Sequence, residues 1–140
     1  MAKTHGTRFY GDRRVKTMLD DGSATAKGDL VQTVEATGTD TITPAATGAA
    51  VFGFALEAIT ASSTGDVDRL MPGDQFWVYV SAGTVAASEM GKYADIVNEL
   101  SITLTESNND CRIMGWDGAT TDYCIVEFTS PETAVPTLAI

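Results

Sequence analysis

The sequence predicts an all-β protein, a small β-barrel or β-sandwich of jelly-roll or tulip-like type with an extended N-terminal arm. Three observations predict it. Apolar and polar residues alternate with a period of two in several stretches, clusters of turn residues separate these stretches, and no window of a dozen residues carries a convincing helical stripe. Such strands favour a closed or nearly closed arrangement, because barrels and sandwiches leave few free edges. The predicted strands are residues 30–35, 51–59, 75–81, 100–105, 111–116 and 123–129.

The first three strands follow from the positions of their apolar residues. In 30–35, Leu30 and Val34 share one face, and in 51–59 the shared face holds Phe52 and Phe54. In 75–81, Phe76, Val78 and Val80 are expected to point inward and Gln75, Trp77 and Tyr79 outward. Alternation of this kind is typical of strands with one buried face.

The last three strands surround two turn clusters. Residues 100–105 show the cleanest alternation, with Leu100, Ile102 and Leu104 expected on the buried face. Residues 107–110 and the dipeptide at 117–118 are rich in Ser, Asn, Asp and Gly, which predicts turns before 111–116 and between it and 123–129. Residues 85–98 are the best helix candidate, but Gly91 interrupts a weak pattern.

The positive charge is concentrated at one end. Residues 1–19 hold five cations and one carboxylate, whereas the other 121 residues hold four cations and 18 carboxylates. A short basic segment with little apolar content cannot build its own core, so we expect an arm over residues 1–22, a single β domain over 23–130 and a tail over 131–140. Aromatics beside arginines are typical interface anchors. The candidate partner-binding residues are Arg8, Phe9, Tyr10, Arg13, Arg14 and Lys16.

Composition narrows the function classes. The net charge of −10 argues against nucleic acid as a partner of the body, since phosphates would be repelled. No apolar run is long enough for a membrane helix, and no signal peptide is visible, so we expect neither a membrane partner nor secretion. A solvated, disordered N-terminus is the alternative interpretation of the basic segment.

Catalytic signals are weak. His5 is the only histidine and lies in the expected arm, where nothing fixes its rotamer. Asp66 and Asp68 would share one face of a strand and could contact a hard cation, but further oxygen ligands are missing from the sequence around them. We therefore expect no enzyme activity, no cofactor and no metal.

The cysteines and the aromatic residues leave alternatives open. If the last hairpin turns near residues 117–122, Cys111 falls opposite Phe128 and away from Cys124, which favours two free, partly buried thiols over a disulfide. Trp77, Tyr79 and Trp116 could form an outer-face cluster that stacks a sugar, serves as a subunit interface or belongs to the core.

Several segments resemble the head decoration, or capsid cement, proteins of tailed phages. They are Ala-Lys-Gly-Asp-Leu-Val at 26–31, Val-Phe-Gly-Phe-Ala-Leu-Glu-Ala at 51–58, Met-Pro-Gly-Asp at 71–74, residues 97–105, Ile-Met-Gly-Trp-Asp-Gly at 113–118 and Cys-Ile-Val-Glu-Phe at 124–128. The resemblance covers about residues 24–129 and lies in the order and character of short β segments.

The resemblance implies a structural role. It implies a small β domain that forms homotrimers on the outer surface of the capsid in the virion, after synthesis in the host cytoplasm, with extended termini that grip neighbouring major capsid proteins. It supplies no catalytic residue. A β-sandwich carbohydrate-binding module and another virion component, such as a tail protein, are the alternatives.

Overall fold

The computed structural model describes residues 4–34, 38–105 and 107–132. Within these ranges the chain forms eleven strands and one turn of 3-10 helix. In chain order they are β1 (Arg8–Tyr10), β2 (Val15–Asp20), β3 (Leu30–Val34), β4 (Gly38–Pro44), β5 (Gly53–Ala55), β6 (Thr64–Arg69), β7 (Gln75–Ala82), the 3-10 turn (Ala87–Glu89), β8 (Tyr93–Asn98), β9 (Ser101–Thr103), β10 (Cys111–Gly115) and β11 (Tyr123–Phe128).

The strands close into two five-stranded barrels. Barrel 1 has the order β2-β4-β3-β5-β6 and closes through the antiparallel pair β2–β6. Barrel 2 has the order β7-β11-β10-β8-β9 and closes through the parallel pair β7–β9. Strand β1 precedes barrel 1 in the chain but pairs with β7 of barrel 2. The prediction of a small all-β barrel is confirmed.

The two barrels have the same topology. If β2–β6 are matched in order to β7–β11, every strand pair of one barrel has its counterpart in the other with the same direction. The single parallel pair is β2–β4 in barrel 1 and β7–β9 in barrel 2. All the other pairs that close the barrels are antiparallel.

The match extends to the residue register. Gly53 pairs with Val31 and Arg69 in barrel 1, as Cys111 pairs with Ala94 and Phe128 in barrel 2. Likewise the partners of Val15–Leu19 on β6 correspond in order to the partners of Gln75–Tyr79 on β11. Two arrangements that agree residue by residue indicate one structural unit used twice in tandem.

The turn before the second strand of each barrel is also shared. The amide of Asp29 donates to the carbonyl of Ala26, and the amide of Lys92 donates to the carbonyl of Glu89, both at 3.1 Å. Each turn has a glycine with positive φ, Gly28 and Gly91, before its last residue. This conformation favours glycine, because a Cβ atom would clash with the backbone.

Most of the expected strands are present, with changed limits. The predictions at 30–35, 75–81, 111–116 and 123–129 match β3, β7, β10 and β11 to within a residue. In contrast, 51–59 shortens to β5, and the helix candidate at 85–98 contains strand β8. The expectation for Leu100 is wrong: it lies before β9 and is more than half exposed, whereas Ile102 is buried as expected.

The core has two parts. Met18, Val31, Ile42, Phe52, Ile59 and Val67 fill barrel 1. The second part combines the interior of barrel 2 with residues from the outside of barrel 1, and Phe54 on β5 links them. Its ring lies 4.8 Å from that of Phe76 and 5.9 Å from that of Phe128, centroid to centroid. The barrels therefore share a hydrophobic interface that aromatic contacts stabilise.

The cysteines lie inside barrel 2. Cys111 pairs with Phe128, as the sequence predicted, and both thiols are free and buried. Burial raises the pKa of Cys124 to about 12 and raises the pKa of Cys111 well above its ordinary value. Both side chains thus serve as apolar core residues with little thiolate character.

Buried carboxylates fasten the loops. Asp95 accepts hydrogen bonds from the amides of Ser107, Asn108 and Asn109 and from the hydroxyl of Ser107. Burial alone would raise the pKa of Asp95, but these hydrogen bonds outweigh burial and lower it. Asp20 fastens the 22–25 loop in the same way, through Gly22, Ala24 and Thr25. Some of the carboxylates that make the chain acidic therefore serve to hold its loops in place.

We predict that Asp95→Ala lowers the free energy of unfolding by about 2–3 kcal/mol, because the amides of Ser107, Asn108 and Asn109 lose the buried carboxylate that accepts from them. Exposed Asp122→Ala is the matched control and should change it little. Because the pKa of Asp95 is lower in the folded state, its contribution is present above the unfolded pKa and is lost as pH falls through the folded pKa. Urea titration between neutral and acidic pH measures both effects. Equal losses for the two variants would contradict the role of Asp95.

Candidate functional site

The basic N-terminal segment lies along β7. The amide of Gly6 donates to the carbonyl of Trp77, and the amide of Trp77 donates to the carbonyl of Thr7, both at 2.8 Å. Beyond them, Arg8 pairs with Phe76 and Tyr10 with Gln75. Residues 6–10 therefore form an added edge strand on barrel 2.

This placement corrects the expected arm. Residues 15–20 form β2, a structural strand of barrel 1, and residues 8–10 pair with barrel 2. The segment is extended, as predicted, but its described part is built into the two barrels instead of projecting from them. The domain boundary expected at residue 22 is not present, because β2 on one side of it and β3 on the other belong to the same barrel. The charge pattern led to this error, since it gives no sign that acidic partners lie within the same chain.

His5 fixes the beginning of the segment. Its Nε2 lies 3.0 Å from the carbonyl oxygen of Glu99, and its Nδ1 accepts a hydrogen bond of 3.0 Å from the amide of Tyr79. The ring packs edge-on against Phe54. Nδ1 must be unprotonated to accept, so the neutral Nε2–H tautomer fits both bonds. Burial lowers the pKa of His5, more than the bond to Glu99 raises it.

Arg8 is buried among carboxylates. Its Nε and Nη2 donate to the two oxygens of Asp68 at 3.1 and 2.7 Å, a bidentate pair, and Nη2 also donates to the carbonyl of Arg69. Nη1 lies 2.9 Å from Oδ2 of Asp74, an ionic contact without hydrogen-bond alignment. The guanidinium also lies 4.7 Å from the centroid of the Phe76 ring. Arg8 thus joins β1 to β6 and to the turn before β7.

Arg14 completes this ion cluster, which consists of Arg8, Arg14, Asp68 and Asp74. Its Nη1 donates to Oδ2 of Asp74 at 2.8 Å, and its amide donates to Asp68. Gly11 lies between the two arginines with a φ of +101°, and a Cβ atom there would lie 2.1 Å from Oδ1 of Asp74. A glycine is required where the segment passes this close to a carboxylate.

The remaining predicted residues face solvent. Tyr10 is 64% exposed and Phe9 56% exposed, the highest values among large apolar side chains of the described chain. The side chain of Arg13 is 62% exposed and lies 3.9 Å from Asp68. Lys16 is exposed on β2 beside Val15, an exposed apolar residue that sequence reasoning missed. We call Phe9, Tyr10, Arg13, Val15 and Lys16 the exposed strip.

The six candidate residues thus have two kinds of position. Arg8 and, in part, Arg14 hold the segment through contacts within the chain. The other four candidates, which are Phe9, Tyr10, Arg13 and Lys16, belong to the exposed strip. The carboxylates Asp68 and Asp74 were not predicted as their counterions. The signal available in the sequence was Pro72-Gly73-Asp74, a turn that ends on an acidic residue, but its distance from the arginines in the sequence hid the contact.

The expected outer aromatic cluster is mostly covered. Trp77 is 8% exposed, and the ring of Phe9 packs edge-on against it. Trp116 is partly buried against the core, and its Nε1 donates to the carbonyl of Thr120. Only Tyr79, which contacts Tyr123 edge-on, remains near the surface. Covered rings do not offer the flat platform that a stacked sugar requires.

The described residues hold no group of three or more metal-ligating side chains. Asp68 of the Asp66–Asp68 pair is engaged by Arg8, and Asp66 accepts from the hydroxyl of Thr17. Among the described helices, none has the length and apolar character to cross a membrane. A scan against models of known protein families gives no match, and a search of curated proteins finds no similar sequence.

We predict that Arg8→Met lowers the free energy of unfolding by about 3–5 kcal/mol, because it leaves Asp68 buried without its bidentate partner. Arg13→Met, which removes an exposed contact at 3.9 Å, should cost less than about 1 kcal/mol. Denaturant unfolding compares the two variants. If Arg13→Met lowered the free energy of unfolding as much as Arg8→Met, the stability would depend on net charge and not on the buried pair of Arg8 and Asp68.

We also predict that residues 4–7 detach from β7 in acid. The folded pKa of His5 is lowered, so the stability it provides is complete above the unfolded pKa, near 6.5, and falls as pH decreases below it. The carbonyl of Glu99 and the amide of Tyr79 contact the ring, and Lys27, Arg8 and Arg13 line the same cleft. Hydrogen exchange at the Gly6 and Tyr79 amides between neutral and mildly acidic pH measures this. Unchanged exchange in the wild type, or the same acid response in His5→Asn, would contradict it.

Proposed function

We propose that this chain is a virion structural protein that decorates the outer surface of a phage capsid and stabilises it by clamping neighbouring major capsid proteins. The observation that carries the proposal is the exposed strip, which places two aromatic rings and two cations on a segment that the chain holds rigid. Interfaces draw most of their binding energy from such aromatic and arginine side chains.

Rigidity favours binding. Arg8, Arg14 and His5 hold residues 5–14 against both barrels, so Phe9 and Tyr10 are presented without a large cost of ordering on association. In this proposal the six candidates have two roles: Arg8 and Arg14 position the segment, and Phe9, Tyr10, Arg13 and Lys16 contact the capsid protein.

Charge supports the same orientation. The chain carries a net charge of −10, but Arg13 and Lys16 of the strip lie in the N-terminal stretch where the positive charges are concentrated. The strip fits an acidic region of the coat protein, and the acidic remainder faces solvent. A protein that binds only the assembled shell stabilises that shell by mass action.

Oligomerisation is part of the same proposal and rests on the resemblance to head decoration proteins. We propose a homotrimer, in which each copy presents one strip, so that several weak contacts act together at high effective concentration. Static light scattering gives the mass in solution, and a monomer at working concentration would contradict this part. No enzymatic step belongs to the proposal.

We predict that the double substitution Phe9→Ser with Tyr10→Ser lowers affinity for capsids that lack this chain by about a hundredfold, the effect of losing two interface anchors. The substitution leaves the ion cluster intact, unlike a deletion of residues 1–16, which would remove the first residues of β2. Val97→Ser with Leu100→Ser, two exposed apolar residues elsewhere, is the matched control. Co-sedimentation with purified capsids measures both. Undiminished binding of the first variant would refute the assignment of the strip, and no binding of the wild type would refute the proposed function.

A further inference from the structure

The repeated barrels differ at one edge. In barrel 2, residues 6–10 cover the outer edge of β7 at Gln75–Trp77. The register makes Val15–Thr17 of β2 the counterpart of Gln75–Trp77, because Val15 pairs with Asp68 as Gln75 pairs with Glu127. In the described part of the chain, no strand pairs with β2 on that side at Val15–Thr17.

Backbone groups at this edge point outward. The amide of Arg69 donates to the carbonyl of Arg14, and the amide of Asp20 donates to the carbonyl of Ser63, so the even-numbered residues of β2 face β6. Because the direction alternates along an antiparallel strand, the N–H and C=O groups of Val15 and Thr17 face the opposite edge. The counterpart of Thr17 is Trp77, whose N–H and C=O groups bond to Thr7 and Gly6.

Burial agrees with an open edge. Val15, Lys16 and Thr17 are all exposed, whereas Trp77, the counterpart of Thr17, is buried with the ring of Phe9 from β1 packed edge-on against it. A sheet edge with unpaired backbone groups is a template for another strand.

We propose that the edge of β2 at Val15–Thr17 is a strand-acceptor site, which takes an extended acidic segment of a partner protein as β7 takes residues 6–10. Backbone hydrogen bonds to Val15 and Thr17 provide the docking, and Val15 offers an apolar contact. Where the partner is the coat protein, this inference rests on the proposed function and names its mode of recognition.

Charge decides the class of occupant. Arg13 and Lys16 are exposed near the edge, and Asp12 is the exposed carboxylate of residues 11–17. Arg14 is engaged by Asp74, and Asp66 is engaged by the hydroxyl of Thr17. This excess of cations favours acidic side chains on the incoming strand. Residues 133–140 contain no Asp or Glu, so charge does not favour them as the occupant.

The test removes one outward amide. Thr17→Pro deletes the N–H that the barrel does not use, and proline is tolerated at such edge positions. Thr17→Ala is the matched control, since it also loses the hydroxyl contact with Asp66 but keeps the N–H. Both variants should unfold cooperatively. Capsid affinity should fall about tenfold or more for Thr17→Pro relative to Thr17→Ala, the effect of one or two lost hydrogen bonds.

A capsid-independent readout uses a short peptide in which Val and Glu alternate. This peptide should shift the backbone amide resonances at positions 15 and 17 in the wild type and in Thr17→Ala, because both proteins keep the two N–H groups. A peptide with Lys in place of Glu should bind about tenfold more weakly. Equal binding by Thr17→Pro and Thr17→Ala, shifts elsewhere only, or no shift with either peptide would overturn the inference. A change in solution mass caused by Thr17→Pro alone would also overturn it, because the edge would then hold a second copy. If the wild type binds the peptide but no capsid, the proposed function fails and the strand-acceptor site stands.

Discussion

The ion cluster of Arg8, Arg14, Asp68 and Asp74 is the contact on which the arrangement of this molecule depends. It joins three parts of the chain that are distant in sequence: the N-terminal segment, the last strand of barrel 1 and the turn that begins barrel 2. A buried carboxylate without its partner is costly, so the cluster favours one position of the segment over all others. The exposed strip owes its fixed orientation to this constraint.

Much of the fold could be predicted from alternation alone. Strands such as β7, with Phe76, Val78 and Val80 buried, have the sequence pattern of one buried face. The strands that were missed lack this pattern: β4 begins in a stretch of Gly and Thr, and β2 has three exposed residues before its first buried one. The pairing of Cys111 with Phe128 was predictable from the position of the turn residues, whereas the register shift between Ile113 and Gly115 was not.

The tandem repeat was not predictable in the same way. What the two barrels share is hydrogen-bond register, which residues of different type satisfy equally well. Gly53 and Cys111 occupy the same position, as do Asp68 and Glu127. Gly28 and Gly91 are a trace of the repeat that remains in the sequence, because the positive φ at both positions favours glycine. The candidate site was found by charge and aromatic content, but its division into holding and contacting residues required the positions of Asp68 and Asp74.

The pairing of β1 with β7 has a consequence for biosynthesis. Residues 6–10 are translated before β7, the strand that accepts them, and all five strands of barrel 1 are translated in between or directly after them. Until β7 is translated, Phe9 lacks Trp77 and Tyr10 lacks Gln75, although Asp68, the bidentate partner of Arg8, is already on the nascent chain. Closing the segment onto β7 therefore has to follow translation of the first strand of barrel 2, and a ribosome stalled before residue 75 would display residues 6–10 without their partner strand.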